Sequence, residues 1–205
     1  MARIFWLLLL VCVAACEAPR HAALPAGATV LVVGDSVTYG TGASPGEDYP
    51  TLLARLTGWN VINAGVPGDT TEGGLKRLPS LLEAHAPQLL LVELGGNDFL
   101  RRLPSSQTRH NLKAILSQAR ARGVPAVLVA VPRPNLMGAA LRSLSDDPLY
   151  ADLAEETQTP LIADILSETL SRNELKADPI HPNAAGYRRV AEGMAEELRA
   201  LGFLR

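Results

Sequence analysis

Five short apolar runs punctuate the chain: Thr29 to Val33, Asn60 to Asn63, Leu89 to Leu94, Ala126 to Val131 and the shorter Leu161 to Ala163. Each is nearly all apolar, as expected of strands covered on both faces. Between and after them the period changes. Leu112, Ile115, Leu116 and Ala119 recur at helical spacing, and so do Tyr187, Val190, Ala191, Met194 and Leu198, which predicts helices with one buried face. Strands alternating with amphipathic helices predict an α/β fold: a three-layer α/β/α sandwich around a central, mainly parallel five-stranded sheet. No repeat, low-complexity tract or interdomain linker interrupts the pattern. The proline-rich Pro132-Arg133-Pro134 is too short to divide domains, so the 205 residues read as one folded unit.

A longer apolar run precedes these five and has a different character. A basic start, the run Ile4 to Ala15 and then Cys16 form a secretory signal peptide over residues 1 to 15. About 12 apolar residues fall short of the roughly 20 needed to cross a bilayer as a helix. Val13-Ala14-Ala15-Cys16 resembles the bacterial lipobox, which implies acylation of Cys16 as the first mature residue; ordinary cleavage near Ala15 is the other reading. Glu17 follows the cysteine, and by resemblance to lipoprotein sorting rules this implies an outer-membrane lipoprotein facing the periplasm. Residues 16 to 28, rich in Ala and Pro, then form a lipidated tether reaching at most about 40 Å. The folded domain is expected over residues 29 to 205.

Composition narrows the function further. With 19 basic and 21 acidic side chains the net charge is -2, so no positive field recruits nucleic acid. The only cysteines, Cys12 and Cys16, lie in the N-terminal segment. Disulfide scaffolds, zinc-thiolate clusters and cysteine nucleophiles are thereby excluded from the folded part.

Polar, glycine-containing motifs follow the first three predicted strands: Gly34-Asp35-Ser36, Asn63-Ala64-Gly65 and Gly95-Gly96-Asn97-Asp98. In parallel α/β sheets ligands bind beyond the carboxyl ends of the strands, so these motifs converge on one rim. A fourth motif, Asp178-Pro179-Ile180-His181-Pro182-Asn183, precedes the last helix. Its prolines disfavour helix and stiffen the turn. Ester hydrolysis requires a nucleophile, a base, a group that orients the base, and donors for an oxyanion. Ser36 can attack, His181 can carry its proton, and Asp178 can hold the imidazole. The Ser36 and Gly65 N–H groups with the Asn97 amide can form the oxyanion hole.

The blocks Gly34 to Gly40, Asn63 to Thr70, Gly95 to Asp98 and Asp178-x-x-His181-Pro182 resemble, in order and spacing, those of the GDSL/SGNH hydrolases. The resemblance spans residues 29 to 200. Gly95-Gly96-Asn97-Asp98-x-Leu100-Arg101-x-x-Pro104 is similar to the arylesterase, thioesterase I and lysophospholipase branch. It implies a flavodoxin-like sheet and a serine esterase, without metal or cofactor, acting on small acyl esters and extending to thioesters or lysophospholipids. One departure is Pro179, where the family commonly has Gly.

Other roles fall to the remaining polar residues. Asp35 reads as a structural turn acid and Asp98 as support behind the site. His21 lies in the tether, while His85 and His110 are placed at helix ends. Leu136 to Tyr150 reads either as a helix packed on the sheet or as a cover over the acyl chain. A metal-dependent phosphoesterase would use Asp35, Asp69, Asp98, Asp178 and His181, but is short of histidines. A phosphate loop over Gly34 to Gly42 lacks the spacing and the Lys of known patterns. Within the esterases the alternative is a carbohydrate O-acetylesterase.

Overall fold

The computed structural model describes residues 21–133 and 143–205. Its centre is a five-stranded sheet of β1 (Thr29–Gly34), β2 (Asn60–Gly65), β3 (Leu89–Glu93), β4 (Ala126–Val129) and β5 (Leu161–Ile162). The order is β2-β1-β3-β4-β5 and every pairing is parallel. Helix α1 (Ser36–Tyr39) and α2 (Tyr49–Thr57) follow β1; α3 (Thr71–His85) follows β2; α4 (Gly96–Leu100) and α5 (Ser105–Ala121) follow β3. The C-terminal part adds α6 (Pro148–Thr157), α7 (Ile165–Ser171) and α8 (Ala184–Ala200). Helices α2 and α8 pack together on one face, with α7 against α8, while α3, α5 and α6 pack on the other. These are the three layers of the α/β/α sandwich expected from the sequence.

The core follows from the strand composition. Val30 to Val33 and Leu89 to Val92 are fully buried in β1 and β3, two of the three inner strands. The helical periods land as expected: Leu112, Ile115, Leu116 and Ala119 on α5, and Tyr187, Val190, Ala191, Met194 and Leu198 on α8, are buried. Edge strand β2 departs from expectation, since its six residues are exposed or only partly buried; it has a neighbour on one side only. Strand ends also shift. Ala130 and Val131 leave the β4 ladder yet stay buried, with the Ala130 N–H donating to Ile162 and the Val131 carbonyl accepting from Asp147.

Capping fixes where helices begin. The side chains of Asp48, Thr70, Asp147 and Asn183 accept main-chain N–H bonds at the starts of α2, α3, α6 and α8, each worth about 1 kcal/mol. His85 closes α3 as expected, whereas His110 lies within α5 and is exposed.

The segment read as a tether is docked from His21 onward. The Leu24 N–H donates to Phe203 and that of Gly27 to Gly58, at 2.9 and 2.8 Å, and Ala28 is buried. The reach of about 40 Å expected of a free chain therefore does not hold for residues 21 to 28. The signal-peptide and lipidation readings, Cys16 included, fall outside the described residues, as do positions 136 to 142 of the expected Leu136 to Tyr150 element. Of that element, Leu149 and Tyr150 are buried in α6, and the Leu144 N–H is bonded to Ser171 Oγ at 2.9 Å.

Candidate active site

Register decides what meets at the rim. Gly34 stands opposite Gly65 on one side and Glu93 on the other, so the turns after β1, β2 and β3 leave the sheet abreast. Ser36 opens α1 directly after β1. Asp35 caps that helix, its Oδ1 accepting the Val37 N–H at 2.9 Å. The helix lies close over the strands: a Cβ on Gly34 would meet Thr38 Oγ1 at 1.9 Å, and one on Gly65 would meet the Tyr39 nitrogen at 2.2 Å.

The fourth motif arrives from the other end of the chain. Ala177 N–H donates to the His181 carbonyl at 2.9 Å, closing a short loop. Within it Asp178 Oδ1 accepts the N–H groups of Ile180 and His181, each at 2.9 Å. Proline at 179 costs no bond there, having no N–H to satisfy. The Tyr187 hydroxyl donates to the Thr41 carbonyl at 2.7 Å, tying α8 to the segment that follows Ser36.

These constraints bring Ser36, His181 and Asp178 into one line. His181 Nε2 is 2.9 Å from Ser36 Oγ, and His181 Nδ1 is 2.7 Å from Asp178 Oδ2. The arrangement can pass the serine proton to the ring while the carboxylate steadies the opposite N–H. Burial works to raise the Asp178 pKa, but the His181 bond, then the Ile180 N–H, outweigh it and hold the carboxyl below its ordinary value.

Asn97 stands in α4, its Nδ2 donating to Asp35 Oδ2 at 3.0 Å. An amide nitrogen carries two hydrogens, so one is left for a ligand. Gly65 is arranged differently from expectation. Its N–H donates to Asn63 Oδ1 at 2.9 Å, and Asn63 Nδ2 donates to the Thr38 carbonyl and to Asp48. Asn63 thus acts as a clasp between β2, α1 and α2. In the next turn Gly68 sits at φ +79°, and among the described residues neither its N–H nor that of Ser36 has an acceptor.

Several supports were not visible in the sequence reading. Arg77 of α3 donates to the carbonyls of Gly34 and Ala64 at 2.9 and 2.6 Å and pairs with Asp69 at 2.8 Å, stapling the ends of β1 and β2. Glu93 is fully buried; its Oε2 accepts from Thr38 Oγ1 at 2.7 Å, and Oε1 has no partner among the described residues. Burial, then the neighbouring Asp35 charge, push its pKa well up. Asp35 is itself raised to about 6 by burial, against the opposing Val37 N–H, His181 and Asn97. Asp98 accepts from the Thr71 N–H and hydroxyl at 2.9 and 2.5 Å and binds α3 to α4. The acids of the metal reading are thereby dispersed: Asp69 faces Arg77, Asp98 faces Thr71, and no group of three metal-ligating side chains occurs among the described residues.

A cavity of about 220 Å³ opens beside Ser36, Asn97 and His181. Leu100, Val131, Leu144, Leu166, Leu170 and Ile180 make its walls mostly apolar. Arg133 also lines it, stacked over the Phe99 ring at 4.8 Å and paired with Asp147 at 2.5 Å.

Comparison with known proteins places this geometry. Residues 32–189 match the model of the GDSL-like Lipase/Acylhydrolase family. The chain is 35% identical over 178 residues to "Thioesterase 1/protease 1/lysophospholipase L1" of Escherichia coli K12, covering 84% of each. It is 33% identical over 204 residues to an arylesterase of Vibrio mimicus, covering 97% of this chain and 98% of the relative. The crystal structure of TesA superimposes with a TM-score of 0.75 at 33% identity, over 84% of this chain and 99% of that one.

The raised Asp35 pKa makes a prediction about stability. The folded state holds this proton more tightly than the unfolded chain, so stability falls as pH rises from the unfolded value of 3.8 through about 6. Denaturant unfolding at pH 4 and pH 7 should show wild type losing about 2 kcal/mol relative to Asp35→Asn across that window. Parallel pH curves for the two proteins would show that Asp35 does not titrate there.

Proposed function

The chain belongs to the GDSL-like lipase/acylhydrolase family and is a serine-hydrolase-type esterase, and from that membership and the rim geometry we propose the roles of its residues. Ser36 is the nucleophile, His181 the base that takes its proton and returns it to the leaving group, and Asp178 the carboxylate that orients the ring. The observation that carries this is the unbroken contact from Asp178 through His181 to Ser36 Oγ at the edge of an apolar cavity. Attack of Ser36 on an ester carbonyl forms an acyl-enzyme with loss of the alcohol, and water then releases the acid through the same base.

The oxyanion falls to the Ser36 N–H and the free hydrogen of the Asn97 amide. Gly65 was the third donor expected from sequence. Since its N–H is engaged by Asn63, we assign that place to Gly68, whose N–H in the following turn has no acceptor among the described residues. The mostly apolar cavity walls favour acyl esters over acetylated carbohydrates. The names of the relatives, arylesterase and thioesterase/lysophospholipase, extend the proposal to aryl esters, acyl thioesters and lysophospholipids. We further propose that the protein is exported and held in the bacterial envelope by acylation of Cys16, facing the periplasm from the outer membrane.

Ser36→Ala should abolish ester hydrolysis and labelling by a fluorescent alkyl phosphonate; labelling that persists at another serine would overturn the assignment. Asn97→Ala should lose about 100- to 1,000-fold in kcat while still reacting slowly with the phosphonate. A lowered melting temperature with unchanged turnover would reduce Asn97 to a structural role. Cys16→Ser should move the protein from the membrane to the soluble fraction or block its processing, and a wild type that is already soluble and unmodified would defeat the anchor.

A further inference from the structure

The N-terminal segment is fastened at the pole of the domain opposite the rim. The His21 ring stacks on Phe203, with centroids 4.3 Å apart and planes 12° from parallel, and the Leu24 N–H donates to the Phe203 carbonyl at 2.9 Å. Phe203 is only 2% exposed, so the attachment point belongs to the core. It follows the end of α8, the helix whose start lies just beyond His181. Seventeen helical residues at about 1.5 Å each separate the two ends by about 25 Å. A second cavity confirms the direction: His21 lines it together with Val124 to Ala126 and Gln158 to Pro160, the residues leading into the amino ends of β4 and β5. Ser36, by contrast, follows the carboxyl end of β1.

We propose that this docked segment makes the N-terminal anchor and the catalytic mouth face opposite ways, so that the esterase takes acyl esters from solution and not from the bilayer that holds it. The inference rests on the readings that Cys16 is acylated and Ser36 is the nucleophile. The geometry is then restrictive. Five residue steps join Cys16 to His21, spanning at most about 18 Å. Laying the mouth on the anchoring membrane requires the domain to invert, which lifts His21 about 25 Å from the surface, beyond that reach. Leu100 and Ile180, part-exposed apolar residues at the mouth, line the cavity beside Ser36, so their role is to receive the acyl chain of a substrate delivered through water.

The test places the full, processed chain in phosphatidylcholine vesicles and measures two substrates: a water-soluble nitrophenyl ester of short acyl chain, and a long-chain nitrophenyl ester residing in the same vesicles. The long-chain ester dispersed in detergent supplies its reference rate. Wild type should hydrolyse the soluble ester and leave the embedded one nearly untouched. Inserting about 20 Gly/Ser residues between Arg20 and His21 lets the mouth reach the bilayer, and should raise the embedded rate roughly tenfold or more with the soluble rate unchanged. A wild type that attacks the embedded ester as fast as the lengthened variant overturns the proposal. So does a lengthened variant that gains nothing, because the tether would then not be what keeps the mouth away. Failure of the anchor itself is read separately by labelling with radioactive palmitate. If Cys16 carries no lipid, coupling its thiol to a maleimide phospholipid imposes the same geometry and the comparison stands. Ser36→Ala, inactive on both esters, isolates failure of the nucleophile assignment.

Discussion

Everything at the rim depends on parallel pairing of β1 between β2 and β3. A strand buried on both faces can place polar chemistry only where it ends, and parallel pairing makes three such ends coincide. Gly34, Gly65 and Glu93 lie abreast, so the serine turn, the Asn63 clasp and the Asn97 helix begin from one line. The two glycines then let α1 come down onto the strand ends closer than any side chain would allow. Arg77 also holds this junction, donating to the Gly34 and Ala64 carbonyls at the ends of β1 and β2. His181 needs no strand of its own. It is brought to Ser36 by the Asp178 turn and by Tyr187, which fixes the start of α8 against the segment after α1.

The same junction stores unfavourable energy. Two acids, Asp35 and Glu93, are buried close to Ser36, and each carries a raised pKa because water is excluded from it. Burial favours the neutral form of Glu93, and its Oε1 has no partner among the described residues. Asp35 is the acid of the pair with more partners, holding the Val37 N–H and the Asn97 amide. Its charge orients a donor at the place where an oxyanion would form and lies in the field of His181. The core formed by the inner strands and their helices offsets this cost, which is why the polar site sits directly on the most completely buried part of the sheet.

The sequence made the sheet legible because buried strands are almost pure in Val and Leu, and made α5 and α8 legible because their apolar period is regular. It hid α3, where Gly73, Gly74 and Pro79 break the pattern that packing and the Thr70 cap restore. The meeting of Ser36, His181 and Asp178 was legible because the three stand in short motifs at strand or helix ends. The bond that engages the Gly65 N–H was not legible. Asn63 and Gly65 look like a site motif, but their bonds point inward to each other and to Thr38. Arg77 and Arg133 were invisible for a related reason: each acts through partners distant in sequence, and nothing local distinguishes them from surface charges, whereas Glu93 stands inside an apolar run but finds its partner Thr38 far away in sequence. The docking of His21 and Leu24 on Phe203 likewise depends on where the last helix ends in space.

The shape of the cavity bears on which side of the ester the protein recognises. Hydroxyl-rich substrates need an array of donors and acceptors, because a sugar stripped of water without replacements loses more than it gains. The walls beyond Ser36 are made by leucine, valine and isoleucine from α4, α7 and the segments following β4 and preceding α8. They offer little to a hydroxyl and much to a methylene, each worth about 0.8 kcal/mol when buried. An acetyl group would occupy only the first part of that space. Under the proposed function this apolar surface would take the acyl chain, leaving the open side of the rim to the leaving group. Under that reading, binding would grow with each methylene of the acyl chain that the walls cover.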